Sequence, residues 1–303
     1  MKIKFWGVRG SIPVPGIATM RYGGNTSCVQ VLPSDETILI VDAGTGIRKL
    51  GKQLMQGVCG DGKGDIHLLI SHTHWDHIQG LPFFAPSYRE GNHITVYARE
   101  RDDTHLDLVL KSATRDPYFP VPFDAVQAEA SFRELKEGDT FRIGTCDVAC
   151  CRLNHPWIAL GYRVEEAGRA FMYISDTAPF TELLLEHDYI AAPPSPGDTP
   201  PPEEAGKLVH MQEELIRLCR GCSLIVFDTM FTGEEYLQRP HWGHSSPAHA
   251  VEIARQAGVG RLVLFHHAPN RTDEQVDSLL AAVQASAPDL EITAAAEGAE
   301  LEI

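Results

Sequence analysis

The stretch His72-Thr73-His74-Trp75-Asp76-His77 decides how this chain is read. It places three imidazoles and a carboxylate within six positions, directly after an apolar run over 66–70 that reads as a buried strand. Residues at alternate positions of a strand end point the same way, so His72 and His74 converge on one ion. The chain then turns, which lets Asp76 and His77 face a second ion beside the first. Zinc accepts this mixture of imidazole nitrogen and carboxylate oxygen. A His-rich surface loop is the competing reading. Against it, Gly80 and Pro82 follow in a tight turn, and further ligand candidates recur at strand ends downstream.

The 303 residues, 43% of them hydrophobic, suffice for one large core or two small ones. No linker-like break interrupts the motifs, so 1–303 reads as a single domain with a proline-rich insertion at about 186–212. The first residues turn polar too soon for a signal peptide, and no apolar stretch approaches a membrane span. Seven cysteines, without the spacing of a small secreted domain, predict reduced thiols and a cytoplasmic location. Cys219 and Cys222 have the spacing of a redox or zinc pair. With no second pair nearby, they are expected to be two packed thiols.

The formal charge is −15, from 26 basic and 41 acidic residues. No run of Lys and Arg offers the basic stripe with which proteins grip long nucleic acid. The balance argues for a small substrate. It leaves a phosphate substrate open, because divalent cations dominate the field inside their own site.

Strands are expected at 2–6, 27–32, 37–42, 65–70 and 94–98, then at 140–143, 145–153, 159–164 and 170–175. The last third adds 224–227, 261–265, 290–293 and 300–303. Helices are expected at 46–55, 104–112 and 203–219. Ser246 caps and Pro247 opens another that stops before Gly258. Thr272-Asp273-Glu274-Gln275 is a capping box for a last helix to about 285. Six prolines between 193 and 202 exclude helix and central strand there, and predict an exposed loop that could serve as a lid. Three prolines make 116–123 irregular.

The His-x-His-x-Asp-His cluster with Gly80 is one of an ordered series of motifs. Before it stand Phe5-Trp6-Gly7-Val8-Arg9-Gly10-Ser11, Arg21-Tyr22-Gly23-Gly24-Asn25-Thr26-Ser27 and Asp42-Ala43-Gly44-Thr45-Gly46. After it come Ser175-Asp176-Thr177, Gly243-His244-Ser245 and Phe265-His266-His267-Ala268-Pro269. This series resembles the metallo-β-lactamase fold superfamily, in its phosphodiesterase and ribonuclease Z-like branch, over nearly the whole chain. The resemblance implies an α/β fold, a four-layer αββα sandwich.

Position by position, the resemblance implies that His72, His74 and His155 hold one metal, Asp76, His77 and His266 a second, and Asp176 bridges them. The implied cofactors are two divalent ions, zinc first, with manganese and iron also suited to these ligands. Adjacent strand residues face opposite ways, so only one of His266 and His267 can reach the metals. His266 holds the family's place in the His-x-x-Pro pattern. His244 matches the residue that protonates the leaving alkoxide, Asp228 the acid that orients it, and Asp76 joins them in the catalytic set. Asp42 is expected behind the metal loop, accepting hydrogen bonds from it. Arg9, Arg21 and Asn25 could touch a phosphate, and Tyr118 and Phe119 could stack on a base. Salt bridges and loop packing are the competing roles for these five.

The implied activity is that of a dinuclear metal-dependent phosphodiesterase acting on a small phosphodiester, foremost a 3′,5′-cyclic nucleotide, by attack of a metal-bound hydroxide. A ribonuclease Z-like tRNA 3′ endonuclease shares the ligands and the His244 pattern. Such enzymes carry a tRNA-gripping arm between the third histidine motif and the bridging aspartate. Twenty residues separate His155 from Asp176, enough for a hairpin and no arm. Hydrolysis of another small cyclic phosphate is a third reading, weakened by the lack of a cysteine-rich zinc site. An inactive metal-binding or nucleotide-sensing module would be expected to have lost ligands, and all seven are present. The expected partners are a small phosphodiester and no long nucleic acid or membrane, with a homodimer compatible.

Overall fold

The apolar runs of the sequence form strands whose alternate side chains serve two different cores. The computed structural model describes residues 1–101, 104–113, 119–121, 125–181, 183–186 and 199–303. Among them, one seven-stranded sheet contains β1 (Lys2–Gly7), β2 (Cys28–Leu32), β3 (Ile38–Val41), β4 (Asp65–Leu69), β5 (His93–Arg99), β6 (Glu129–Leu135) and β14 (Glu300–Glu302), in the order β14-β1-β2-β3-β4-β5-β6. The other contains β7 (Thr140–Ile143), β8 (Cys146–Arg152), β9 (Leu160–Glu166), β10 (Arg169–Ile174), β11 (Leu224–Asp228), β12 (Arg261–Phe265) and β13 (Glu291–Ala294), in the order β13-β12-β11-β10-β9-β8-β7. Each sheet is parallel over half its width, β3 to β6 in the first and β10 to β13 in the second.

Period-two alternation produces the layering. On β12, Val263 and Phe265 face the core between the sheets, while Leu262 and Leu264 face the opposite way. Phe171 and Tyr173 of β10 divide from Met172 and Ile174 in the same manner. The inter-sheet core joins these side chains to Ile3, Phe5, Leu39 and Leu69 of the first sheet. Outside the first sheet, Ile66 and Leu68 pack with α1 (Ile47–Leu54) and α3 (Leu106–Ala113). Outside the second pack α4 (Pro202–Cys219), α6 (Pro247–Ala257) and α7 (Asp273–Ser286). Two short helices, α2 (Trp75–Ile78) and α5 (Gly233–Gln238), lie in connections. The result is helix, sheet, sheet, helix, as the resemblance implied. Strands buried on both faces read as unbroken apolar runs, each fully buried Phe, Leu or Ile contributing about 1.5–3 kcal/mol.

Strand β6 was not among the expected strands. Its sequence, Glu-Ala-Ser-Phe-Arg-Glu-Leu, has no apolar run, and its pairing with β5 comes from backbone hydrogen bonds at a sheet edge, where charges are favoured. Ser246 does occupy the N-cap of α6, with Pro247 in its first turn and Gly258 in the left-handed conformation at the far end. Its side chain makes no capping bond, so Pro247, with no N–H to satisfy, carries the start alone. The capping box at Thr272 and Gln275 forms as expected. All seven cysteines are buried and free, and Cys222 accepts a hydrogen bond from Arg163 at 3.0 Å. No helix among the described residues is long and apolar enough to cross a membrane. Tyr118 and the proline-rich stretch 187–198, with the lid expected there, lie outside the described residues.

Glu166 anchors the end of β9. Its Oε1 accepts from the Ser34 N–H and hydroxyl and from the Thr145 hydroxyl. Burial raises its pKa, but these bonds outweigh burial and hold it at about 2. A depressed carboxyl pKa stabilises the fold above the unfolded value, and that stability is lost as pH falls toward 2. Glu166→Gln is therefore expected to lower stability by about 1–2 kcal/mol at pH 7. The gap in urea midpoint between variant and wild type should shrink as pH falls from 4.5 to 2; a pH-independent gap would assign the loss to packing.

Candidate metal centre

The carboxyl ends of β3, β4, β10, β11 and β12 meet at one edge of the sandwich, where open α/β sheets place their ligands. After β4 the chain stays extended through His74, whose ψ is 152°, and α2 then brings Asp76 and His77 round in its first turn. This loop lies close on the turn after β3. The Ala43 N–H donates to the His77 carbonyl at 2.7 Å, and the Gly80 N–H to Ala43 at 2.9 Å. A Cβ on Gly80 would stand 2.1 Å from the Gly44 carbonyl, so no larger residue fits without displacing the loop.

Two groups of side chains converge here. In the first, His74 Nδ1 lies 3.0 Å from both His72 Nε2 and His155 Nε2, and Asp176 Oδ2 lies 3.6 and 3.8 Å from those two nitrogens. In the second, His77 Nε2 is 3.3 Å from Asp76 Oδ2 and from Asp176 Oδ1, while His266 Nε2 is 3.1 and 3.2 Å from the same oxygens. Ligands about 2.0–2.1 Å from a tetrahedral zinc are separated by about 3.3 Å, so both sets have the spacing of a coordination shell. Asp176 Oδ1 and His77 Nε2 are buried with no hydrogen-bond partner. Leaving such atoms unpaired is costly, and a cation between them removes the cost. On these observations the residues fit divalent metal ions.

The outward ring nitrogens are fixed by the surrounding protein. Asp42, in the left-handed region at φ 60°, accepts from His77 Nδ1 at 2.8 Å, from the Ser71 N–H and hydroxyl at 2.7 and 2.9 Å, and from the Tyr173 hydroxyl at 2.7 Å. His155 donates through Nδ1 to the Gly243 carbonyl at 2.8 Å. These bonds turn the remaining nitrogens inward as acceptors for a metal. Burial pushes His155 down to about 3 and His72 well below its ordinary value, which keeps both rings neutral. Burial lowers His77 as well, but Asp76, Asp176 and Asp42 outweigh it and raise the ring well above its usual range.

His244 stands beside the second group. Its Nδ1 is 3.1 Å from Asp228 Oδ2, and its ring stacks on His266 with centroids 5.1 Å apart. Burial lowers its pKa, yet Asp228, Asp176 and Asp76 together bring it up to about 9. Asp228 also accepts from the N–H groups of Met230, Thr177 and Ser245. Asp176, Asp228, His244 and His266 are close enough to form a third metal-holding set. The Asp228 oxygens are already committed to these donors, which suits a carboxylate that orients His244 better than one that binds a cation.

The other expected residues divide. His266, at φ 59°, turns into the cluster, whereas His267 points away and donates through Nε2 to the Ala295 carbonyl at 2.9 Å. Arg9 corrects the expectation of a phosphate contact. It is fully buried, donates to the carbonyls of Gly23 and Arg271, and lies 3.7 Å from Asp273, so it braces the loops from within. Asn25 is held by Glu297, and the exposed Arg21 guanidinium pairs with Asp277 at 2.6 Å. Phe119 packs edge-on against Phe83, with centroids 5.5 Å apart. Sequence reasoning missed Ser71 and Tyr173 as partners of Asp42. It also missed the Ser11 N–H, which donates to Asp76 Oδ2 at 2.7 Å. Ser11 is in a quoted motif, but only the fold shows that its backbone is what matters.

His266→Ala and His267→Ala are expected to behave differently. The first should lose one bound ion and at least about 100-fold in activity, the second mainly stability. Metal content and thermal unfolding measured side by side separate them, and equal small losses in both would remove His266 from the ligand set.

The sequence profile of the beta-lactamase superfamily domain matches residues 37–191 and 205–267. A ribonuclease BN from Salmonella gallinarum is 26% identical over 281 residues, covering 86% of this chain and 88% of its own. A ribonuclease Z from Limosilactobacillus fermentum is 24% identical over 230 residues, covering 66% of this chain and 68% of its own. Among solved structures, the metallo-beta-lactamase fold protein YhfI from Bacillus subtilis superposes with a TM-score of 0.67 at 15% identity, over 100% of this chain and 98% of its own. Unliganded yeast PDE1 gives 0.63 at 16% identity, over 100% and 99%. The chain belongs to the beta-lactamase superfamily domain family and has the metallo-β-lactamase fold.

Proposed function

We propose that this hydrolase opens a small phosphodiester, a 3′,5′-cyclic nucleotide, at a centre of two divalent ions, zinc by preference. His72, His74 and His155 would hold one ion, Asp76, His77 and His266 the other, with Asp176 between them. When bound, the ions supply the Lewis acidity that makes water a nucleophile at neutral pH and draws charge from the phosphoryl oxygens. His244 would give a proton from Nε2 to the departing alkoxide, with Asp228 holding its Nδ1. The buried rings and carboxylates around them exclude bulk water, which strengthens each of these interactions.

The observation that carries the small substrate is the chain between His155 and Asp176. It consists of a short loop, β9, a two-residue turn at Ala167 and Gly168, and β10, with nothing projecting that could embrace a folded RNA. The charge of −15 agrees with that reading. The names of the ribonuclease relatives favour the rival, cleavage of a tRNA precursor.

The product profile of zinc- or manganese-loaded protein, given cyclic AMP and separately an unprocessed tRNA, tests both. Nucleoside monophosphate with intact tRNA supports the proposal. Cut tRNA with intact cyclic AMP overturns it in favour of the rival.

A further inference from the structure

We propose that Trp157 and Trp242 form a nucleobase-binding rim at the mouth of the candidate metal centre; this rests on the reading of the substrate as a nucleotide. The two rings are 44% and 52% exposed, unusual for the largest apolar side chain. Each lies two residues from a side chain of the centre, Trp157 after His155 and Trp242 before His244. Two residues span at most about 7 Å, so both rings stay close to anything whose phosphate reaches the cluster. Trp75, 63% exposed, follows His74 directly, so a third ring borders the expected ligands.

The two loops touch one another. His155 donates to the Gly243 carbonyl at 2.8 Å, and a Cβ on Gly243 would lie 2.6 Å from Pro156 Cδ. Gly243, at φ 80°, is what permits the approach. Trp157 and Trp242 therefore flank a single contact.

The backbone at Trp157 is strained. Its φ is 61°, and that of the β-branched Ile158 is 55°. Such conformations persist only where the surroundings over-determine them, and they gather at functional sites. Two bonds enforce this one: the Trp157 N–H donates to the Glu186 carbonyl at 2.6 Å, and the Ile158 N–H to His155 at 3.0 Å. A loop needing only to join His155 to β9 would have no reason to hold an indole in that state. Over each ring lies a guanidinium, Arg101 over Trp157 and Arg239 over Trp242, both 5.1 Å from the centroid. An aromatic face beside a positive charge suits a planar base joined to a phosphate better than an apolar protein surface.

The test compares adenosine monophosphate with ribose 5-phosphate, which share the phosphate and sugar and differ by the base. Their affinities for the zinc-loaded protein would be measured by calorimetry in wild type, Trp157→Ala, Trp242→Ala, the double variant and Trp157→Phe. The wild type should bind the nucleotide at least about 10-fold more tightly than the sugar phosphate. The double variant should lose that preference while keeping its zinc and its affinity for ribose 5-phosphate, and Trp157→Phe should keep most of it. Should Trp157→Ala disturb the His155 loop and shed zinc, Trp242→Ala alone must still reduce the preference. A wild type that does not distinguish the two ligands, or a preference unchanged in the variants, overturns the rim. Cyclic AMP hydrolysis with an unaltered KM in both single variants also refutes it while sparing the activity. Base-dependent binding without hydrolysis supports the rim and refutes the cyclic-nucleotide substrate.

Discussion

Asp176→Ala is expected to abolish activity and metal binding together while the protein remains folded. Asp176 is the one side chain that both expected ligand groups share, offering Oδ2 to His72 and His155 and Oδ1 to His77 and His266. Removing it takes a ligand and a negative charge from each ion at once. Several kcal/mol of charge stabilisation in the transition state depends on that arrangement, so the loss should reach about 1,000-fold or more. Folding should survive, because β10 keeps both its neighbours and Ile174 and Tyr173 stay buried. The change also removes a carboxylate that costs energy to bury when no cation is present. Linkage supplies the check: a chelator should lower the melting temperature of the wild type and leave that of the variant unmoved. A variant that keeps two ions and full turnover would sink the bridging role.

His244→Ala is expected to keep the metal content of the wild type and slow turnover by about 100-fold or more. The expected ligand atom Asp176 Oδ2 is 3.8 Å from its Nδ1, and Nδ1 is engaged by Asp228 at 3.1 Å. The effect should depend on the leaving group. A cyclic nucleotide departs as a basic alkoxide and needs the proton, whereas a p-nitrophenyl diester departs as a stable phenolate and should be slowed far less. Asp228→Asn should show the same pattern more weakly, since it misorients the ring without removing it. Equal slowing of both substrates would show that His244 acts on the site's structure, and unchanged turnover would move the proton donor elsewhere.

Much of this architecture was legible in the residues. The expected strands correspond to observed ones throughout, and the signal is strongest in β3, β10 and β11, because strands buried on both faces must be apolar along their length. The edge strand β6 escaped because its run carries Glu129, Arg133 and Glu134, and only Leu135 of its side chains is fully buried. Arg9 shows the limit at the site. An arginine in a glycine-rich loop looks like an anion receptor, and nothing local reveals that Gly23, Ala268, Arg271 and Asp273 will enclose it.

The sequence by itself determined the layered α/β class, the residue types of the centre and the division of histidines along the chain. The strands, helices and residue types follow from local periodicity and ligand chemistry, which need no knowledge of distant partners, while the layered class was implied by the family resemblance of the motif series. Tertiary structure alone decided how those residues meet. It set Tyr173 of one sheet on Asp42 of the other and brought the Ser11 N–H to Asp76 across 65 positions of chain. It also raised two tryptophans on adjoining loops beside the same cluster. Pairings across long separations depend on how two sheets pack and on which backbone conformation each strand end adopts, and no stretch of sequence carries that information on its own.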